Sequence, residues 1–276
     1  TTWRPEGELA GLNARAGAGF VEVGPELHQA LRAMLDLSAQ TGGAFDPAVG
    51  PIVRALRENR SAPALSDTTY RIASALRLTR GRAALARGAE LDAGAIGKGI
   101  AVDAIVRHLR RAGVASAYVD FGASSIAALG VRPDGSPWRV ALVGPQGVVG
   151  TTVLADEALS TSRSAEPNDP AGAIVDPETL RPVPPGRVAT VVAPSATVAE
   201  AWSTALVVRG RPALQSAAAH GLEALFADSS GIAVTEGEWF EPVGLPAPAS
   251  LHPHVELPNR EPWERRAERD LARIHP

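Results

Sequence analysis

Apolar residues recur at helical spacing in two stretches of the chain. Leu27, Ala30, Leu31, Met34, Leu35 and Leu37 form the first stripe, opened by Pro25 at the first helical position and stopped by Gly42-Gly43. Ile100, Ala104, Ile105, Val106 and Leu109 form the second, ending near Gly113, and residues 199–208 read as a third helix, behind Pro194 and Ser195. Shorter apolar runs predict strands at 117–121 and 188–192 and two hairpins. In the hairpins 139–143 pairs with 148–154 around Gly144-Pro145, and 222–227 pairs with 231–234 around Asp228-Ser229-Ser230. Ile174-Val175-Asp176-Pro177 reads as extended chain that turns at its proline, and Ile52 to Leu56 as a short apolar segment. Residues 1–20 carry no strong periodicity, and 57–90 read as connecting material with an amphipathic piece over 70–78. Helices mixed with short, hairpin-linked strands favour one α+β domain over a doubly wound sheet.

The pattern changes after residue 235. Pro242, Pro246, Pro248, Pro253 and Pro258 make an extended linker, and residues 263–274 read as a charged helix or a disordered tail. The domain is therefore expected over 1–235 and a Pro-rich, charged tail over 236–276, with His252 and His254 solvated.

Composition narrows the chemistry. A chain of 276 residues with 45% hydrophobic residues can build a core, and no apolar run approaches the roughly 20 residues of a membrane span. A net charge of −3 with 4% aromatics argues against a nucleic-acid partner. The absence of cysteine excludes disulfides, thiolate metal sites and a cysteine nucleophile. No charged-then-apolar segment resembling a signal peptide follows Thr1.

The most glycine-dense turn is Asp92-Ala93-Gly94-Ala95-Ile96-Gly97-Lys98-Gly99, and it holds the single lysine among 27 basic residues. A strand is expected to end at Leu91 and a helix to begin beyond the turn. Small residues let a ligand approach the backbone, and the helix would present free N–H groups to a phosphate. The other reading is a structural turn whose lysine is solvated; neither a P-loop nor a dinucleotide fingerprint is present. On the third helix Glu200 and Thr204 stand four apart and share a face. They could offer two hard oxygens to Mg²⁺; the alternative is an exposed Glu beside a hydroxyl that bonds its own preceding turn. Asp46, held extended by Pro47, reads as a turn carboxylate.

Five strings, in order, carry a resemblance to one family. Thr41-Gly42-Gly43-Ala44-Phe45-Asp46-Pro47 with Val49-Gly50-Pro51 is the first, and Leu91-Asp92 through Gly99 with Ala101-Val102-Asp103 the second. Ala158-Leu159-Ser160-Thr161-Ser162, then Ile174-Val175-Asp176-Pro177 with Thr179, then Ala193-Pro194, Thr197 and 200–206 complete the set. Over roughly residues 1–235 the chain resembles the ApbE family, the FAD:protein FMN transferases. The resemblance implies a single domain of mixed, mainly antiparallel strands packed with helices. It implies that FAD is bound with Mg²⁺, and that FMN passes to a Thr or Ser hydroxyl of a flavin-acceptor protein while AMP leaves. By the same resemblance Ala44, Phe45, Asp46, Asp92, Lys98 and Ile174 contact the flavin nucleotide. Asp92 and Lys98 would be catalytic, and Ala95, Glu200 and Thr204 would hold the metal.

The chain departs from the family's pattern at Glu200, where the family has Asp; at Ala173, where it has His; and at Leu180, where it has Gly. The family's opening strand and helix find no match, so the chain is expected to begin part-way into the fold. Two other activities stay open: binding of flavin nucleotide or a partner without transfer, and hydrolysis of FAD to FMN and AMP. Family members point to the bacterial cell envelope or periplasm, and the missing export signal to the cytoplasm.

Overall fold

The computed structural model describes residues 6–61, 70–165 and 173–243. The tail beyond 243, with His252, His254 and the 263–274 segment, lies outside the described residues, as does most of the Pro/Asn/Asp-rich loop before Ala173. In chain order the first elements are α1 (Glu8–Ala14), β1 (Val21–Glu22), α2 (Pro25–Gln40), α3 (Gly50–Arg57), α4 (Ile72–Ala75), β2 (Leu76–Thr79) and β3 (Arg82–Leu85). Then come α5 (Gly97–Arg111), β4 (Ala117–Phe121), β5 (Ser125–Leu129), β6 (Trp138–Gly144), β7 (Gly147–Leu154) and β8 (Ala158–Arg163). The last are β9 (Val175–Asp176), β10 (Arg181–Pro182), β11 (Val188–Ala193), α6 (Ala196–Arg209), α7 (Ala213–Ala219), β12 (Glu223–Asp228), β13 (Gly231–Val234) and β14 (Glu241–Pro242).

A six-stranded sheet in the order β13-β12-β11-β8-β5-β4 forms the backbone of the fold, and all its pairs are antiparallel. Its central strand β11 is buried along its whole length, so both faces must be covered. Side chains alternate between those faces. Ala189, Val191 and Ala193 join a core with α2 and α6, whereas Val192 joins Val140, Leu142 and Leu154 of β6 and β7. Helices therefore cover one face and a second sheet, β14-β7-β6, the other. The α+β architecture with antiparallel strands is the expected one.

Helix α6 explains where the site sits. From Ala199 to Val208 every residue is buried, because the helix runs between the sheet and helices α2 and α5. Between Ala199 and Val208 its sequence is apolar on all sides except for Glu200, Ser203 and Thr204, and polar groups in such a place need partners.

Four features differ from the sequence-based expectation. Residues 8–14 are helical and bury Leu9 and Leu12. Within the 57–90 stretch β2 and β3 form a hairpin closed by Gly81 at φ +70, and no strand reaches Leu91: β3 stops at Leu85 and a turn follows. The wholly buried β5 is a strand that the sequence pattern does not predict. Finally, residues 236–243 belong to the packed domain rather than to the tail. Trp239 is buried with the second core, and β14 pairs with β7 at Thr151 and Gly150.

Candidate active site

Two loops and two helix ends build the site. The first loop follows α2, where Gly42 and Gly43 adopt left-handed conformations at φ +60 and +75. Gly43 N–H bonds the Ser38 carbonyl and Gly42 N–H that of Ala39, which is how a helix ends when glycine supplies positive φ. The chain then delivers Ala44 and Phe45, both 2% exposed, and Asp46. Asp46 is extended before Pro47, and its Oδ1 accepts the Ala48 N–H and the Ile72 N–H, both at 3.0 Å. It is thus the turn carboxylate the sequence suggested, tying this loop to α4. Burial pushes its carboxyl up to about 6, against the backbone N–H donors and the Arg71 guanidinium, which lower it.

The second loop is the glycine-dense turn. Asp92 N–H donates to the Pro47 carbonyl at 2.8 Å, fixing one loop against the other, and its Oδ1 accepts the Gly94 N–H. Asn13 of α1 braces the turn from behind: its amide donates to the Leu91 carbonyl at 2.9 Å and accepts the Leu91 N–H at 3.0 Å. Nothing in the first twenty residues advertised this role.

Helices α5 and α6 cap each other. Asp103 of α5 accepts the Ala196 and Thr197 N–H groups at the start of α6, at 2.8 and 3.0 Å. Glu200 of α6 accepts the Gly99 N–H in the first turn of α5 at 2.5 Å, and the Lys98 ammonium at 2.7 Å. Each carboxylate thereby satisfies donors that a helix leaves unpaired and complements a positive dipole end. The approach is close. A Cβ at Gly99 would lie 2.4 Å from the Ala196 carbonyl oxygen, so no other residue fits there. The helix end expected to stand open for phosphate therefore already holds a carboxylate of the chain itself. Glu200 is not the exposed residue of the alternative reading either: it is 2% exposed.

Hydroxyl groups continue the wall. Ser162 of β8 lies 2.7 Å from Ser203 and 3.3 Å from Thr204, oxygen to oxygen. It is Ser203, rather than Thr204, that bonds back along the helix, to the Glu200 carbonyl.

These walls enclose a cavity of about 240 Å³, and every predicted site residue lines it. Ala44, Phe45 and Asp46 come from the first loop; Asp92, Ala95 and Lys98 from the second; Ile174 from the chain entering β9; Glu200 and Thr204 from α6. Arg57 and Arg163, which the motifs do not include, add cationic side chains, and Ala173 shares the lining. A second concavity of about 730 Å³, walled by Leu9, Leu27 and Met34 among others, adjoins the first through Arg57, Gly94 and Lys98. Leu180 sits at φ +56, a conformation that favours glycine, and rests on the apolar group of Val49, Ile52, Tyr70 and Val175.

The donor set suits a hard cation in its chemistry. Helical bonding in α5 starts with Ile100 N–H to the Ile96 carbonyl, and Gly99 N–H goes to Glu200, so the Ala95 carbonyl stands outside the helix ladder. With the Thr204 hydroxyl and the Glu200 carboxylate it offers three oxygens of the kind Mg²⁺ accepts. No group of three or more His, Cys, Asp or Glu poised for a metal occurs among the described residues. Two neutral oxygens and one carboxylate would leave water or further oxygen donors to complete the shell.

Comparison with known proteins gives one consistent result. The sequence model of the ApbE family matches residues 1–226. A FAD:protein FMN transferase of Rhodobacter capsulatus is 35% identical over 228 residues, covering 75% of this chain and 43% of the relative. One from Klebsiella pneumoniae (strain 342) is 26% identical over 234 residues, covering 76% of this chain and 67% of the relative. The chain thus spans less than half of the first of these proteins. Among solved structures, the apo form of the Pseudomonas stutzeri flavinyl transferase ApbE superposes with a TM-score of 0.74 at 26% identity, over 86% of this chain and 81% of that one. Among the described residues no helix is long and apolar enough to cross a membrane.

Proposed function

Because this chain belongs to the ApbE family, we propose that it transfers FMN from FAD to a Thr or Ser hydroxyl of an acceptor protein and releases AMP, with Mg²⁺ as cofactor. The observation that carries the proposal is the convergence of all the predicted residues, from separate stretches of the chain, on one cavity. That cavity is smaller than the roughly 300 Å³ at which drug-sized pockets begin. It suits the diphosphate of FAD, while the adjoining apolar concavity offers room for the remainder.

In this proposal the acceptor oxygen forms a bond to the phosphorus of the FMN half, and the anhydride bond on that phosphorus breaks. The bridging oxygen departs on AMP. The hydroxyl proton passes to Asp92, which is half-buried at the cavity wall. Lys98, Arg57 and Arg163 bring positive charge to the diphosphate, and Ala44, Phe45, Asp46 and Ile174 position the nucleotide. The Ala95 carbonyl, Glu200 and Thr204 would hold Mg²⁺, which when bound neutralises phosphoryl charge and orients the leaving group. The chemistry otherwise asks of the protein mainly positioning and charge.

A second reading, binding of flavin nucleotide without transfer, is favoured by one observation: both oxygens of Glu200 are already engaged within the chain. Incubation with FAD and Mg²⁺, with and without a flavin-acceptor domain, separates the readings. Transfer predicts AMP together with a covalently flavinylated acceptor. Tight FAD binding without AMP supports the second reading, and AMP formed equally without acceptor indicates hydrolysis.

A further inference from the structure

The proposed cation site contains a competitor for its own carboxylate. Glu200 Oε2 takes the Gly99 N–H at 2.5 Å and Oε1 the Lys98 ammonium at 2.7 Å. A Mg²⁺-like ion binds carboxylate oxygen at about 2.0–2.1 Å. With the ammonium still in hydrogen-bond contact, the two cations would stand a few ångströms apart beside a side chain only 3% exposed, where water screens their repulsion poorly. One of them must leave. Glu200 cannot turn away, since it is held in the buried stretch of α6 between Ala199 and Ala201. Lys98 can. Its side chain is 38% exposed and borders both the cavity and the adjoining concavity.

We infer that Lys98 and a divalent cation exclude each other at Glu200, so that in the nucleotide-free protein the lysine suppresses cation binding. The inference rests on the proposed cation site. Once displaced, the ammonium is released into the cavity where the diphosphate is proposed to lie, so the pair acts as a latch rather than as a permanent ion pair. By linkage, whatever draws Lys98 off Glu200 tightens the cation, and the cation in turn frees Lys98 by the same factor.

Mn²⁺ binding to the full chain without FAD, followed by electron paramagnetic resonance of the free ion, tests this directly. Lys98→Met is expected to bind Mn²⁺ roughly ten-fold or more tightly than the unaltered protein, within the usual range of coupling between sites. Lys98→Gln keeps a hydrogen-bond donor without the charge and shifts the same way, which serves should Lys98→Met fold poorly. Lys98→Arg keeps the charge and stays as weak as the unaltered protein or weaker. Glu200→Gln loses the site. If the uncharged variants match the unaltered protein while Glu200→Gln loses Mn²⁺, mutual exclusion is wrong and the cation site stands. If Glu200→Gln binds like the unaltered protein, or no variant binds Mn²⁺, the cation site and the inference fall together.

Discussion

Asp46 and Glu200 face the same cavity from different walls, and they are stabilised in contrasting ways. Asp46 is held by backbone N–H groups of its own loop and of α4, with the Ser38 hydroxyl at 3.4 Å. Its ionised form is costly, and burial lifts its carboxyl to about 6. Glu200 is held by a helix N–H and by a full positive charge, both supplied by α5. The first arrangement is a fixed scaffold: backbone donors cannot leave. The second is exchangeable, because an ammonium on a flexible stem can be replaced by another cation. In the proposed reaction the fixed Asp46 wall would position the nucleotide and the exchangeable Glu200 wall would handle charge.

The comparison breaks most visibly at Lys98. Lys98→Met leaves a buried carboxylate with one partner, and should cost about 3 kcal/mol in urea unfolding, the low end for a broken buried pair because the ammonium side is 38% exposed. The double variant with Glu200→Gln should recover much of that loss; simple additivity of the two would show that the ion pair carries no coupling.

Next in size is the pH response of the Asp46 wall. The folded value of about 6 exceeds the ordinary 3.8, so the folded state holds the proton more tightly. Its contribution is fully present below about 4 and is lost as pH rises through about 6. Asp46→Asn removes the ionisation, so relative to it the unaltered protein should lose roughly 2–3 kcal/mol between pH 4 and 7. Parallel stability curves for the two proteins would contradict the assignment.

Thr204→Ala deletes one oxygen from the Glu200 wall and should lower Mg²⁺-dependent transfer by about 10- to 100-fold, with little change in FAD affinity. Equal activity would remove Thr204 from the cation site. The smallest effect belongs to the partner cap. Asp103→Ala strips the acceptor from the Ala196 and Thr197 N–H groups, while Ser195 still accepts the Val198 N–H, and should cost about 1–2 kcal/mol, without altering FAD affinity at saturating Mg²⁺.

How much of the molecule was legible beforehand divides along the same contrast. Most of the Asp46 wall is local: helix stop, glycines, extended Asp before Pro and the turn after it lie within ten residues and each leaves a sequence signal, while the Ile72 N–H that Asp46 accepts, 26 positions away, leaves none. Helix α2 and the hairpins of β6–β7 and β12–β13 were equally readable, because their periodicity or their turns are strong, whereas α6, buried on every side, was legible from its length and the Pro194-Ser195 start. The Glu200 wall is assembled by pairs far apart in sequence. Asn13 meets Leu91 across 78 positions, and Asp103 meets Ala196 across 93, and no local pattern encodes such pairings. Motif resemblance found Glu200 and Lys98 as members of the site, yet their contact with each other emerged only from the packing of α5 on α6. The missed elements share one cause. Helix α1 has seven residues and β2 and β3 four each, too short for a period to declare itself, and β5 is buried throughout and so shows no alternation. Residues 236–243 looked like tail because prolines crowd the sequence from Pro242 onward, but Trp239 has enough apolar surface to hold them on the core.

The proposal that a diphosphate is cleaved here by an acceptor hydroxyl can be tested most directly by stoichiometry. With FAD, Mg²⁺ and an acceptor domain, mass spectrometry of the acceptor and quantification of free AMP should give one AMP for each covalently attached FMN, and neither product when the acceptor hydroxyl is removed. AMP accumulating in excess of attached FMN, or FAD bound with neither product formed, would contradict it.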